Sequence, residues 1–341
     1  MVENILRPEN TIKDAVKALD ENRVRGVCIV DDAGKILGIF TQGDLRRYIL
    51  SGGELNESIV AAMNKSPKIF LDTEEPDPDI MCPIVDVQGV LIDIKYNNLN
   101  YKPDDTRSDC LKDIPLVIMA GGLGKRLYPL TKVLPKALIP IGDSTITERI
   151  IRSFAAWGCR EVYLILNHKA DMIKAYFDEK NKDYEIHYVQ ETQFMGTGGG
   201  LSLLKDRVKS TFILSNCDIL VDADINCILK THYQNRNVIS FVGAYKNISI
   251  PYGVIQTDEQ GAVTSMQEKP ELSFLTNTGV YVIEPSVLKL IPDDKFCHIT
   301  DIAMKCIAQN QRVGVFPITD EAWLDMGQVE EMKEMIKRLD M

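Results

Sequence analysis

The sequence predicts an α/β protein with a mainly parallel sheet, preceded by a smaller α+β region. Three observations carry that expectation. At 341 residues the chain exceeds the usual size of one domain, so two are expected. From residue 115 onward, apolar β-branched runs ("PLVIMA", "EVYLILN", "EIHYVQE", "TFILSNCD", "NVISFVGAY") alternate with amphipathic segments such as "TITERIIRSFAAW" and "ADMIKAYFDEK". Near-continuous apolar strands separated by helices mean a parallel sheet buried on both faces, and such sheets place their sites at the carboxyl ends of the strands. Residues 1–94, in contrast, carry shorter units in which one helix precedes two strands.

Taken in order, "TIKDAVKALDEN" sets Ile12, Ala15, Val16 and Leu19 at helical spacing behind a Thr11 cap. A buried strand "GVCIVDD", a turn at Ala33-Gly34 and a second strand "KILGIF" follow. "TQGDLRRYILSGG" then reads as a capped helix stopped by Gly52-Gly53. The stretch "IVDDAGKILGIFTQGD" resembles the hallmark of the CBS (cystathionine-β-synthase-type) module, and "PIVDVQGVLIDI" over residues 83–94 is a shortened second copy. That resemblance implies either an adenine nucleotide held between paired modules, reached through Thr41 and Asp44, or a docking role in a homo-oligomer. Gly43 stands where a hydroxyl residue is common in such modules, and the short second copy leaves half a cleft. Residues 95–114 are polar and aperiodic and read as a linker.

Composition narrows the partners. A net charge of −10 argues against a nucleic-acid surface or a polybasic membrane anchor. No apolar run approaches the roughly 20 residues a membrane span requires, and the opening "MVENILRPEN" lacks the pattern of a secretory leader. Eight scattered cysteines without a C-x-x-C spacing fit reduced thiols, so a cytoplasmic protein is expected.

The stretch "MAGGLGKRLYPLTKVLPKALIPI" leaves the end of the first long apolar strand. Gly121, Gly122 and Gly124 let backbone N–H groups approach a phosphate without a Cβ in the way. Neither a Walker A loop nor a G-x-G-x-x-G helix start is present, and a Gly-rich turn alone is equally consistent with a tight turn. The cations shift the balance. Arg126 follows the last glycine closely enough to fork β- and γ-phosphates, and Lys136 sits in a proline-braced apolar stretch near the loop.

This segment resembles the signature "GGxGTRLxPLTxxxPKPxxPI" of sugar-1-phosphate nucleotidyltransferases, with Lys125 and Ala137 as its departures. The resemblance spans about residues 115–341 and implies a Rossmann-like fold. It also implies a catalytic set of Arg126 on the departing pyrophosphate, Lys136 on the sugar phosphate, and Asp218. Asp218 in "FILSNCDIL" and Asp325 in "AWLDMGQ" would hold Mg²⁺ or Mn²⁺, an ion content with few carboxylates when phosphates and water complete its shell. Asp222 and Asp224 read as solvated or capping. "YVQETQFMGTGGGL" matches the family's base-recognition loop, which adds Glu191, Gly196 and Thr197 to the nucleotide-binding glycines. By the same resemblance Tyr252, Gly253, Glu268, Lys269 and Gly279, in "PYGVI", "QEKP" and "NTGVY", contact the sugar phosphate.

Glu191 bears on the base. A carboxylate only accepts hydrogen bonds; guanine offers adjacent N1–H and N2–H₂ donors, whereas uracil and thymine flank one N–H with acceptors and suit an amide. GTP is therefore the expected donor. CBS modules ahead of such a transferase resemble the guanylyltransferases that activate amino sugars in the bacterial legionaminic acid pathway, which makes glucosamine-1-phosphate the expected acceptor. A mannose-1-phosphate guanylyltransferase, a uridylyl- or thymidylyltransferase and a catalytically inactive nucleotide-sugar sensor remain the alternatives.

Overall fold

A computed structural model of the chain describes residues 4–21, 24, 26–72, 81–96, 109–180 and 182–339. Contacts divide it into two compact units: residues 1–103 with 246–274, and residues 104–245 with 275–341. Most of the segment read as a linker, residues 97–108, lies outside the described residues; Lys95 and Tyr96 belong to a strand, and Leu111 is wholly buried.

The first unit opens with β1 (Ile5–Leu6), α1 (Ile12–Glu21), β2 (Gly26–Val30), β3 (Ile36–Thr41) and α2 (Gln42–Leu50). β1 runs parallel to β2, and β2 pairs antiparallel with β3. The shortened repeat has the same connectivity: β4 (Phe70–Leu71) lies parallel to β5 (Met81–Val85), which pairs antiparallel with β6 (Leu91–Tyr96). The turns repeat as well. Asp31 Oδ1 accepts from the N–H groups of Ala33 and Lys35, and Asp86 Oδ1 accepts from those of Gln88 and Val90. In each turn a glycine, Gly34 or Gly89, supplies the positive φ. The two turns meet where Leu91 N–H donates to Gly34 O at 2.9 Å, and Cys28, Val30, Met81, Leu91 and Ile94 share one apolar cluster.

The second unit begins with β7 (Leu116–Met119), α3 (Leu130–Val133), the short pair β8 (Pro140–Ile141) and β9 (Ser144–Thr145), and α4 (Ile146–Ala155). It continues through β10 (Glu161–Leu166), α5 (Ala170–Asp178), β11 (Glu185–Gln190), α6 (Gly196–Gly199), β12 (Phe212–Asn216), β13 (Ile219–Val221) and α7 (Ile225–Gln234). After β14 (Ile239–Ser249) comes an antiparallel hairpin, β15 (Val254–Thr257) and β16 (Val263–Gln267), which belongs to the first unit. β17 (Glu271–Ile283), α8 (Ile299–Ala308), β18 (Val313–Thr319), β19 (Trp323–Asp325) and α9 (Val329–Arg338) complete the chain.

Seven of these strands form one sheet in the order β11–β10–β7–β12–β17–β14–β18. The β11–β10–β7–β12 half is parallel throughout, β17 runs antiparallel to β12, and β18 is parallel to β14. Side chains alternate between two apolar layers: Leu116 and Ile118 join α4 and α5 residues such as Phe154 and Phe177, while Val117 and Leu214 face Ile302 of α8. Burial on both faces is what the unbroken apolar runs require. Because β7, β10, β11 and β12 run parallel, their carboxyl ends lie at one edge.

Candidate functional site

The chain leaves β7 at Met119 and turns through the three signature glycines. Gly121 is buried, and a Cβ on it would come within 2.9 Å of Glu191 Oε2 and 3.0 Å of Asn167 Cβ. Gly124 has φ +62°, and a Cβ there would meet Thr131 at 2.8 Å and Lys136 at 3.2 Å. Thr131, 1% exposed, donates its hydroxyl to Gly124 O at 2.8 Å, so the loop closes on itself. Arg126 sits exposed in a single 3₁₀ turn, Lys125–Leu127, pinned by the fully buried Leu127. A second such turn, Lys136–Leu138, aims Lys136 back at the end of β12, where its ammonium ion-pairs with Asp218. Burial works against the charge on Lys136, and Asp218, with Cys217 and Asp325 adding to it, more than offsets that, so the lysine pKa lies above its ordinary value.

Register in the sheet fixes the two aspartates. Asn216 pairs with Met119, and three residues later β13 begins its antiparallel pairing with β19, so that Ile219 faces Asp325. Met326 N–H donates to Asp218 O at 3.0 Å. The pair thus lies side by side although far apart in sequence. Asp325 Oδ1 is buried without a hydrogen-bond partner. Burial, with the negative charges of Asp218 and Glu331, pushes its pKa up to about 6. Among the described residues no group of three or more His, Cys, Asp or Glu side chains is arranged to hold a metal ion. Asp224 caps α7, accepting from Cys227 N–H at 3.0 Å.

A cleft of about 300 Å³ opens between these elements. Arg126, Thr197, Asn216, Asp218, Gly279 and Asp325 line it, together with His298, Thr300 and Trp323. Gly279 (φ +88°) leaves room for the Asn216 amide, which a Cβ would strike. Next to it, Asn277 is fixed by donating to Tyr281 OH at 2.9 Å and accepting from Gly279 N–H at 3.1 Å.

At the end of β11, Glu191 is 3% exposed and its Oε1 has no hydrogen-bond partner. Burial pushes its pKa up to about 7, against the lowering effect of the Met195 N–H and the Asn167 side chain. A Cβ on Gly200 would come within 2.5 Å of that oxygen. The glycines of α6 serve close packing. Gly198 and Gly199 donate their N–H groups to Cys297 O at 3.0 and 3.2 Å, and Cys297 N–H returns a bond to Met195 O. Thr197 Oγ1 accepts from Ile299 N–H at 3.3 Å and lies 3.3 Å from His298 Nδ1.

The nucleotidyl transferase profile matches residues 116–340, and a CBS domain profile matches residues 4–51. The chain belongs to the nucleotidyl transferase family. Within that family it is 30% identical to the Bifunctional protein GlmU of Methanococcus aeolicus over 218 residues, covering 62% of this chain and 51% of the relative. It is 27% identical to the UTP–glucose-1-phosphate uridylyltransferase of Synechocystis, covering 65% and 62%. It is 29% identical to the mannose-1-phosphate guanylyltransferase catalytic subunit beta of Drosophila pseudoobscura, covering 63% and 59%. The chain therefore spans between half and two thirds of the length of these relatives. Among solved structures, HddC from Yersinia pseudotuberculosis shares the fold, with a TM-score of 0.53 at 22% identity over 66% of this chain and 99% of that one.

In this member of the nucleotidyl transferase family Arg126, Asp218, Asp325, Thr197 and Gly279 line one cleft, and Gly121 and Gly200 close on Glu191 in a second cluster. Tyr252, Gly253, Glu268 and Lys269 belong to the other unit, on the hairpin. There Tyr252 is 74% exposed, Lys269 N–H donates to Tyr252 O, and a Cβ on Gly253 would come within 2.9 Å of Glu268 Oε2. Asn167, His298 and Glu331 are neighbours of the site that the sequence does not single out. The one available signal was Asn167, directly after the strand "EVYLIL" at the sheet's carboxyl edge.

Proposed function

We propose that the protein is a sugar-1-phosphate nucleotidyltransferase that transfers a guanylyl group from GTP to glucosamine-1-phosphate and releases pyrophosphate. The observation that carries the reading is the single cleft in which Arg126, Asp218 and Asp325 converge, with Lys136 paired to Asp218. All four charged positions of the family signature are present, which favours an enzyme over a nucleotide-sugar sensor.

The chemistry asks for positioning and charge neutralisation rather than a covalent enzyme intermediate. An oxygen of the sugar-1-phosphate attacks the α-phosphorus of the triphosphate in line, and the bond to pyrophosphate breaks. The Arg126 guanidinium neutralises the charge gathering on the departing pyrophosphate. Lys136 reduces the repulsion between the two anions as they approach. The orphaned Asp325 carboxylate beside Asp218 suits a divalent cation, since an unpaired buried carboxylate oxygen is costly without one. Mg²⁺ or Mn²⁺ held by Asp218 and Asp325 would supply Lewis-acid polarisation of the reacting phosphates.

Glu191 supports guanine: a carboxylate oxygen left without a partner beside the glycine loop matches the adjacent N1–H and N2–H₂ donors of that base. The uridylyl and mannose-1-phosphate guanylyl alternatives share the cleft and differ in base or sugar. Pyrophosphate release with Mg²⁺ and glucosamine-1-phosphate, run in parallel with GTP, UTP, dTTP and CTP, tests the proposal. Selective turnover of GTP is expected. Preference for a pyrimidine nucleotide sinks the Glu191 argument, and release with none of the four, repeated with other sugar phosphates, sinks the enzyme.

A further inference from the structure

We infer that Lys169 is a positioning residue for the reaction: it clamps the carbonyl end of α3 and thereby sets Arg126 and Lys136. The inference rests on the proposed transferase reading, because it concerns the same signature loop. α3 is only the four residues Leu130–Val133, too short to satisfy its own last carbonyls. Leu134 N–H reaches Leu130 O at 3.1 Å, which leaves the carbonyls of Thr131, Lys132 and Val133. The Lys169 ammonium lies 3.1, 2.7 and 2.9 Å from those three oxygens. An ammonium has three donors, and here three carbonyls take them, at the helix end where positive charge is favourable.

The cost at Lys169 is visible in its backbone. It adopts φ +54°, ψ +35°, the left-handed region that residues with a Cβ disfavour, without a side-chain cap on α5. Strain of this kind persists where the surroundings fix it, and the only use of this side chain in the described contacts is the carbonyl clamp.

The clamp reaches the cleft through Thr131. Its carbonyl is held by Lys169, its hydroxyl donates to Gly124 O, and its methyl group packs where a Gly124 Cβ would stand. Arg126 follows Gly124 on one side of α3, and Lys136 follows Pro135 on the other. Lys169 itself comes from the loop after β10, a strand paired on both sides in the sheet. The rigid sheet thus holds the middle of the signature segment while both ends carry the charges. Lys169 is absent from the cleft lining, so it acts through the loop rather than on substrate.

The test uses the full chain and the substrate pair that the wild type turns over. Lys169→Met is expected to lower kcat about 10- to 100-fold, the loss that a displacement of about 1 Å in catalytic groups brings, with an unchanged thermal midpoint. Lys169→Arg, which keeps donors and charge, should recover part of it. In an Arg126→Ala background the loss from Lys169→Met should shrink, because both changes act through one loop. Wild-type kcat and KM for Lys169→Met, or the same fold-loss in both backgrounds, overturns the inference. If Lys169→Met does not fold, Lys169→Gln is read by the same criteria. If the wild type turns over no pair, the transferase reading fails, and amide exchange decides this one separately. Faster exchange confined to residues 125–139 in Lys169→Met supports the clamp, and unchanged exchange there removes it.

Discussion

The polar residues of the CBS-like unit and those of the transferase cleft differ in how their hydrogen bonds are used. Thr41 and Asp44, the pair through which the CBS resemblance implies a ligand, already serve each other. The Thr41 N–H and hydroxyl donate to Asp44 Oδ2 at 2.9 and 2.6 Å, Asp44 N–H donates to Thr41 Oγ1, and Arg47 takes the remaining oxygen. In the second unit, Asp325 Oδ1, Glu191 Oε1 and Glu331 Oε2 are buried without partners. Buried polar atoms are ordinarily paired, so the unmet carboxylate oxygen of Asp325 in the cleft is a demand that a ligand can meet. The same residue types are spent on a helix cap in one unit and held open in the other.

The largest effect should come from the aspartates of the cleft. Asp218→Asn or Asp325→Asn should cut pyrophosphate release by about 1,000-fold, the scale of losing a main electrostatic stabiliser, while circular dichroism stays native. Turnover within tenfold of wild type would place the cation site elsewhere. Next comes Arg126→Ala, which should cost about 100-fold in kcat by the same reasoning; a change confined to KM would mean that Arg126 only binds the ground state.

Glu191 sharpens the comparison through pH. Its pKa of about 7 lies above the ordinary 4.5 because burial disfavours the charged form. Guanine needs the carboxylate, so KM for GTP should rise by about tenfold per unit as pH falls below 7, whereas Glu191→Gln should show no such slope and should gain UTP relative to GTP. The linked stability has the opposite sense. With the folded pKa raised, the contribution is present below pH 4.5 and is lost as pH rises through 7. The ligand-free variant should therefore lose less thermal midpoint between pH 5 and 8 than the wild type, in differential scanning fluorimetry.

The smallest effect on turnover belongs to the closed pair. Thr41→Ala should cost about 1 kcal/mol of stability through the lost cap and leave pyrophosphate release unchanged. A large drop in turnover would show that the CBS-like unit controls the reaction.

Local signals were legible and distant ones were not. The strands "PLVIMA" and "EVYLIL", the capped helix after Thr41 and the glycine turn before Arg126 follow from short-range pattern, and each stands in the structure. Asp218 and Asp325 were found by motif alone; their adjacency depends on the β13–β19 ladder, which no local propensity specifies. Lys169 was invisible because its partners are backbone carbonyls on another element, which leave no trace in side-chain pattern. Glu331 escaped for a related reason: its helical position reads as an ordinary exposed acid, yet one of its oxygens is buried beside Gly327 and Asp325.

The β13–β19 ladder also orders events during synthesis. Asp218 is made well before Asp325, and until the ribosome has released the strand Trp323–Asp325 the Asp218 end has no antiparallel neighbour. A growing chain can complete the glycine loop, the arginine and the lysine and still lack the second carboxylate. The second carboxylate then arrives in one step, when the three-residue strand Trp323–Asp325 docks.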